Sequence, residues 1–206
     1  MNLTSDNLRA LTSGAPVKLG VIEPAQLQLL RYACRALAAH PRTDHGDPDD
    51  TGTLHGSMQY YGKEMHRMLD APWMRSLGVA LGARSIKLVA RVRATPRGTR
   101  QQQWHVDDEG SVALASPRAY TVFIYLTDVT NENGATEWRV RAADGVGLRP
   151  RRVKDTVATF ARAGSRSLRL PGPRGTVVAF PSVAVHRGRA NMTGRARDVL
   201  TVVLAT

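Results

Sequence analysis

The sequence predicts a mainly β fold, a sandwich or barrel of short strands with helices packed on one side. Three observations carry that expectation. The helical patterns all fall within residues 1–82, the chain after Gly82 breaks into short β-rich runs, and glycine, proline and an Asn133-Gly134 pair punctuate those runs. A chain of 206 residues, 42% of them hydrophobic, can fill one sizeable core. One domain over 1–206 is therefore expected, with a helical part at 1–82 and a β part at 83–206.

The elements follow in order. Glu23-Pro24 opens a helix, because proline suits the first helical position and Leu27, Leu30, Cys34 and Leu37 recur on one face. That helix ends near His40-Pro41. Residues 43–56 are dense in Asp, Gly and Pro and read as a loop. A second helical stretch runs over 62–69 with Met65, Met68 and Leu69 apolar; Pro72 interrupts it before helix resumes over 73–81. The β-rich runs are 86–92, 102–106, 120–126, 176–180, 183–185 and 199–204. Between them, 139–174 carries Arg149, Arg151, Arg152, Lys154, Arg162, Arg166 and Arg169 among prolines and glycines. It reads as a long basic connection, a place where lids are often built.

Composition excludes several classes. A single cysteine, Cys34, permits no disulfide within the chain and no thiolate set for zinc, and is expected to be a small buried apolar residue. No apolar run reaches the ~18 residues of a membrane span, and residues 1–20 lack a charged region followed by an apolar one. The expectation is a soluble, cytoplasmic protein with no membrane contact. The net charge of +12, nearly all from arginine, admits an anionic partner such as nucleic acid, an acidic metabolite or a protein, and equally a solvated surface.

The chemistry-bearing pattern is Gln103-Trp104-His105-Val106-Asp107. On a strand, His105 and Asp107 project from one face ~6.5 Å apart, which is chelate spacing. One imidazole, one carboxylate and a second imidazole from a distant strand make the facial triad that leaves three positions of an octahedral ferrous ion open. The second imidazole is best placed at His186, which an apolar run from Phe180 delivers to a strand end. With 6 histidines and 17 acidic residues, chance alone yields about 0.5 matches to His-x-acid, so the pair is weak in isolation. The chain contains a decoy, His45-Gly46-Asp47, in a stretch with no strand to fix a chelating geometry.

Context separates the two copies. Pro96-Arg97-Gly98 ahead of Trp104 to Asp107, the run Tyr120 to Asp128, the return Asn133-Gly134-Ala135-Thr136-Glu137-Trp138, Gly175 to Phe180 before His186, and Asn191 to Arg197 leading into Val199 to Val203 occur in a fixed order. In that order they resemble the 2-oxoglutarate- and Fe(II)-dependent oxygenases, in particular the prolyl-hydroxylase-like and phytanoyl-CoA-hydroxylase-like branches. The resemblance covers a little over half the chain.

It implies a double-stranded β-helix, or jelly-roll, with N-terminal helices on one side and the metal at the barrel mouth. It also implies Fe(II) held by His105, Asp107 and His186, 2-oxoglutarate as co-substrate and O2 as oxidant. The far carboxylate of 2-oxoglutarate would meet a basic side chain on the last strand, Arg197 being the choice and Arg195, of the same parity, its rival. Tyr125 and Tyr120 are candidates to hydrogen-bond the co-substrate, with core packing as the alternative for each. Trp104 either shields the metal or sits in the core, and Thr121 and Gln103 are polar candidates for the lining. The tyrosine that the prolyl-hydroxylase-like branch carries on the preceding strand has no counterpart in 88–93.

The implied reaction is hydroxylation of an unactivated C–H bond of a small molecule, an amino acid or natural-product intermediate, with release of succinate and CO2. Asp107 argues against halogenation, since related halogenases lack that carboxylate to admit halide. The alternatives are desaturation or ring closure at the same centre, the same chemistry on protein or nucleic acid, a cupin-like metal enzyme that does not use 2-oxoglutarate, and a barrel-shaped binding module in which the triad is vestigial.

Overall fold

The computed structural model describes residues 3–38, 54–57, 70–83, 85–95, 97–107, 119–141, 145 and 164–206. The helical stretch at 62–69, the decoy at His45 and Asp47 and the side chain of Cys34 lie outside what is described. So do 142–144 and 146–163 of the basic connection.

Among the described residues three helices lead the chain. Helix α1, Ser5–Thr12, is capped by Thr4, whose hydroxyl accepts from the Asn7 amide at 3.1 Å. Helix α2 is Pro24–Ala38, opened by Pro24 as expected, and helix α3 is Pro72–Ala80, in which Pro72, expected to interrupt, is the first helical residue. Helix α1 was not expected: it is short and polar, and Leu11 is its single fully buried side chain.

Nine strands among the described residues follow or intervene: β1 Val17–Val21, β2 Leu54–Ser57, β3 Ser85–Thr95, β4 Ala119–Tyr125, β5 Glu137–Arg141, β6 Ser165–Arg169, β7 Thr176–Pro181, β8 His186–Arg187 and β9 Arg197–Ala205. They form a six-stranded sheet in the order β1-β7-β4-β9-β3-β2 and a three-stranded sheet in the order β6-β5-β8. All pairings are antiparallel. Two such sheets face to face, with distant strands as neighbours, form the jelly-roll.

Alternation along β4 shows how the layers are built. Tyr120, Val122 and Ile124 turn to the face that Leu11 of α1, Leu27 and Leu30 of α2 and Met74 and Leu77 of α3 cover, a cluster that Val177, Ala179, Leu200, Val202 and Leu204 complete. Phe123 and Tyr125 turn the other way, between the sheets, to meet Trp138 of β5, Val178 and Phe180 of β7 and Val199 of β9. The helices thus pack on one side of the large sheet, and the opposite face of that sheet looks into the barrel.

Four sequence expectations are corrected. The expected strand over 102–106 is extended chain joined to β8 by an isolated bridge between His105 and His186 and by the Gln102 amide, which donates to the Gly188 carbonyl at 2.9 Å. Residues 183–185 form a turn, with the Ala184 amide donating to the Pro181 carbonyl at 2.7 Å, because the chain must reverse from β7 toward β8. The expected loop at 43–56 gives way to strand at its end, where β2 pairs with β3. The basic connection begins and contains strand: β5 and β6 pair from Glu137 opposite Arg169 to Arg141 opposite Ser165. Strand β1 was overlooked, although Val17, Leu19 and Val21 alternate with Lys18 and Gly20.

Candidate metal centre

His105 and His186 are direct cross-strand partners. The His105 amide donates to the His186 carbonyl at 2.9 Å and the His186 amide donates back at 3.0 Å. Since β8 pairs on its other side with β5, Trp138 opposite His186, the 101–107 segment extends the small sheet by one irregular strand. Residues opposite one another share a face, so both imidazoles turn inward, with ring centroids 4.4 Å apart at 53°. Period-2 geometry carries Asp107 to the same side, and its amide donates to the Ser182 carbonyl at 2.8 Å, which fastens the segment to the turn after β7.

The ligand atoms of His105, Asp107 and His186 all lie within 4.8 Å of one another, and among the described residues this is the one group of three that does so. Asp107 Oδ1 stands 3.6 Å from His186 Nε2. Neighbouring ligands at ~2.1 Å from an octahedral ion are separated by roughly 3 Å, so a divalent cation needs only a small contraction of this group. The tautomers are set as well. Nδ1 of His105 lies 2.9 Å from the Gln103 carbonyl and Nδ1 of His186 2.9 Å from the Ala184 carbonyl. A carbonyl can only accept, so each Nδ1 carries the hydrogen and Nε2 is left as the nitrogen through which each ring can bind a metal.

His186 is fully buried against an aromatic floor, edge-on to Phe180 at 4.9 Å and Phe123 at 6.4 Å, while Asp107 opens to solvent. The site therefore has a closed apolar side and an open polar side. Thr121, from the centre of the large sheet, donates to Asp107 Oδ2 at 2.9 Å and stands 2.8 Å from the Ser182 hydroxyl.

Arg197 begins β9 and is buried, with 4% of its surface exposed. Its Nη1 donates to the Thr136 hydroxyl at 3.2 Å, and its Nη2 passes within 3.5 Å of where a Cβ on Gly188 would sit. Gly188 lies two residues beyond His186, and that Cβ would also stand 2.7 Å from Gln102 Oε1, so only glycine fits without displacing Gln102. Tyr125 shares the inner face. Burial holds its hydroxyl pKa far above the usual tyrosine value despite the opposing charge of Arg197, so it stays protonated and donates to the Leu170 carbonyl at 2.8 Å.

The remaining expectations divide. Arg195 is exposed and is not brought to the site. Tyr120 is buried in the helix-packed cluster on the opposite face of β4 from Thr121, because one residue along a strand reverses the face. Gln103 is exposed, its carbonyl rather than its side chain serving His105. Trp104 lies half-buried on the outer face of the small sheet, packed against the buried Val106 and Val185, with the guanidinium groups of Arg187 at 4.1 Å and Arg139 at 4.8 Å from its ring. Ser182 and Thr136 were not anticipated, and lone hydroxyl residues give no spacing signal from which to find them.

On that outer face Glu137 is almost wholly buried among three arginines. Arg187 donates Nε at 2.9 Å and Nη2 at 2.8 Å to Oε2, with Arg189 at 3.6 Å and Arg169 at 3.8 Å from Oε1. Burial raises the carboxyl pKa, but hydrogen bonds from Arg187 and Ser167 and the charges of Arg187 and Arg189 outweigh it, and the net shift is downward.

A jelly-roll with two histidines and one aspartate converging at its mouth, beside a buried arginine on the last strand, defines the class of non-heme metal oxygenases. The profile of the phytanoyl-CoA dioxygenase family matches residues 13–199, and the chain belongs to that family. Its structure is similar to that of SnoK, a non-heme α-ketoglutarate-dependent carbocyclase from nogalamycin biosynthesis (TM-score 0.79, 21% identity, 99% of this chain and 84% of that one). It is also similar to EctD from S. alaskensis with bound Fe (0.74, 18%, 99% and 77%). AviO1 from Streptomyces viridochromogenes Tue57 gives 0.74 at 19% identity, covering 100% of this chain and 97% of that one. At these identities the likeness is one of fold. No curated protein matches the sequence.

Proposed function

We propose that this chain is an Fe(II)- and 2-oxoglutarate-dependent dioxygenase acting on a small molecule, with hydroxylation of an unactivated C–H bond as its reaction. The observation that carries this reading is the triad itself: two imidazoles whose Nδ1 faces a backbone carbonyl and one carboxylate, with ligand atoms within 4.8 Å of one another. That is a donor set for a divalent first-row metal with positions left open. When bound there, iron with 2-oxoglutarate and O2 supplies the oxidising power, with succinate and CO2 as co-products.

The chain's own residues do the rest. His105, Asp107 and His186 hold the metal, and the two histidines keep their orientation through the Gln103 and Ala184 carbonyls. Arg197, buried and anchored by Thr136, is the partner for the distal carboxylate of 2-oxoglutarate, and a planar guanidinium offers it two parallel donors. Tyr125, protonated throughout the neutral range, lines the same interior as a neutral group. Phe123, Phe180 and Trp138 keep water from the closed side of the site, where a low dielectric strengthens the carboxylate's pairing with Arg197.

The small-molecule reading is supported by what the similar structures are described as: a carbocyclase from nogalamycin biosynthesis, and EctD with 2-oxoglutarate and 5-hydroxyectoine bound. The first of these makes ring closure the second reading for the outcome at the same centre. A protein or nucleic-acid substrate has only the basic charge in its favour.

The direct test is an anaerobic titration with Fe(II) and 2-oxoglutarate, watching for the visible charge-transfer band of their chelate. The wild type is expected to develop the band and to form succinate on exposure to air; His105→Ala and Asp107→Ala are expected to do neither. Succinate formation undiminished in those variants would sink the proposal.

A further inference from the structure

We propose that Thr121 and Ser182 form a positioning device that reserves one oxygen of Asp107 for the metal, an inference that rests on the metal reading of the triad. Thr121 Oγ1 donates to Asp107 Oδ2 at 2.9 Å and lies 2.8 Å from Ser182 Oγ. A hydroxyl has one hydrogen, so once Thr121 gives it to the carboxylate, the Ser182 contact runs the other way: Ser182 donates to Thr121. The chain of hydroxyls has a direction, and it ends on Oδ2.

The other oxygen, Oδ1, is the one facing His186 Nε2 at 3.6 Å. The two oxygens of Asp107 therefore have different tasks, one tethered and one presented. The tether is built from the interior, since Thr121 and Ser182 are 0% and 1% exposed, whereas Asp107 stands at the solvent edge on an irregular segment without a continuous ladder. Ser182 holds the same residue a second time, its carbonyl accepting the Asp107 amide at 2.8 Å. Backbone and side chain of Asp107 are thus tied to one spot at the junction of β4 and the turn after β7.

The chemical consequence concerns the number of open positions. A carboxylate free to turn about its Cβ–Cγ bond can offer both oxygens to one cation and occupy two positions in place of one. Tying Oδ2 to Thr121 keeps Asp107 a one-oxygen ligand. A metal held by three protein ligands would then keep its remaining positions open for the co-substrate and O2. Thr121 is a positioning residue, since it acts through Asp107.

The test uses the full chain, prepared metal-free, as wild type, Thr121→Val, Thr121→Ser and Ser182→Ala. Mn(II) affinity is read by electron paramagnetic resonance, and coordination by the visible spectrum of the Co(II) form. Thr121→Val keeps the shape and removes the donor. It is expected to melt close to the wild type without metal, to bind Mn(II) at least ~10-fold more weakly, and to give an altered Co(II) spectrum. Thr121→Ser is expected to restore both, and Ser182→Ala to lose part of the affinity. Wild-type Mn(II) affinity and Co(II) spectrum in a folded Thr121→Val would overturn the inference. Should Thr121→Val fail to fold, Ser182→Ala decides in the same way. Failure of the wild type to bind Mn(II), or undiminished binding by His105→Ala, would instead overturn the metal reading beneath it.

Discussion

Arg197 and Arg195 have the same residue type and the same strand parity, yet one is buried beside Thr136 and Gly188 and the other faces solvent. Removing a buried charged partner of a ligand costs about 2–5 kcal/mol. Arg197→Ala is accordingly expected to weaken 2-oxoglutarate binding roughly 30-fold or more, read as the co-substrate KM, and Arg195→Ala to leave it within about a factor of two. Equal effects of the two would refute the assignment of Arg197. Parity alone could not choose between them, because burial is decided by where β9 enters the sheet opposite Thr95 of β3. The triad was more legible: His105 and Asp107 sit on one face at extended spacing, and the apolar run ending at His186 marked its partner. Thr121 figured among the polar candidates, but what it does there depends on Ser182, which only the fold brings to it.

Strand β8 is two residues long, and one of them is His186. An element so short cannot hold a ligand by its ladder alone. The Glu137 carboxylate clamps the following residue, Arg187, from the neighbouring strand, so the outer face of the small sheet steadies what the inner face presents. Because the Glu137 pKa is lowered in the folded state, its contribution to stability is present above the unfolded glutamate value of ~4.3 and is lost as pH falls through the lower folded value. Melting temperature measured from pH 7 to pH 3 should thus fall at acidic pH in the wild type, and fall less steeply in Glu137→Gln, which starts lower. Identical slopes would show that Glu137 does not contribute. The sequence read this region as a basic connection because arginine dominates it, although Glu137-Trp138-Arg139-Val140-Arg141 alternates as a strand with one dry face. The 102–106 run and 183–185 misled in the opposite sense. Both are rich in residues that favour strands, but local propensity cannot report that the chain must turn, or that only one bridge will form.

At the level of the whole molecule, helices on one side of a mostly β body were legible from amphipathic spacing, since α2 buries Leu27 and Leu30 and α3 buries Met74 and Leu77. The order of strands in the large sheet was not, because each pairing joins segments far apart in the chain and depends on loop closure rather than on local pattern. The backbone exchange between His105 and His186 belongs to that non-local kind. His105 and Asp107 are neighbours in the chain, but His186 joins them only when the remote strands pair, so the denatured ensemble lacks the complete triad. A cation that binds the assembled triad therefore selects for the folded population, and at 100 times its dissociation constant it adds about 2.7 kcal/mol of stability. For a chain of this size that is an upward shift in Tm of roughly 5–10 °C on adding Mn(II) without oxygen, measured by calorimetry. His186→Ala should show no such shift, and one of equal size in that variant would mean that the cation stabilises the protein elsewhere. An ion held there would fasten together two remote stretches of chain, and its affinity would gauge how completely the barrel has closed.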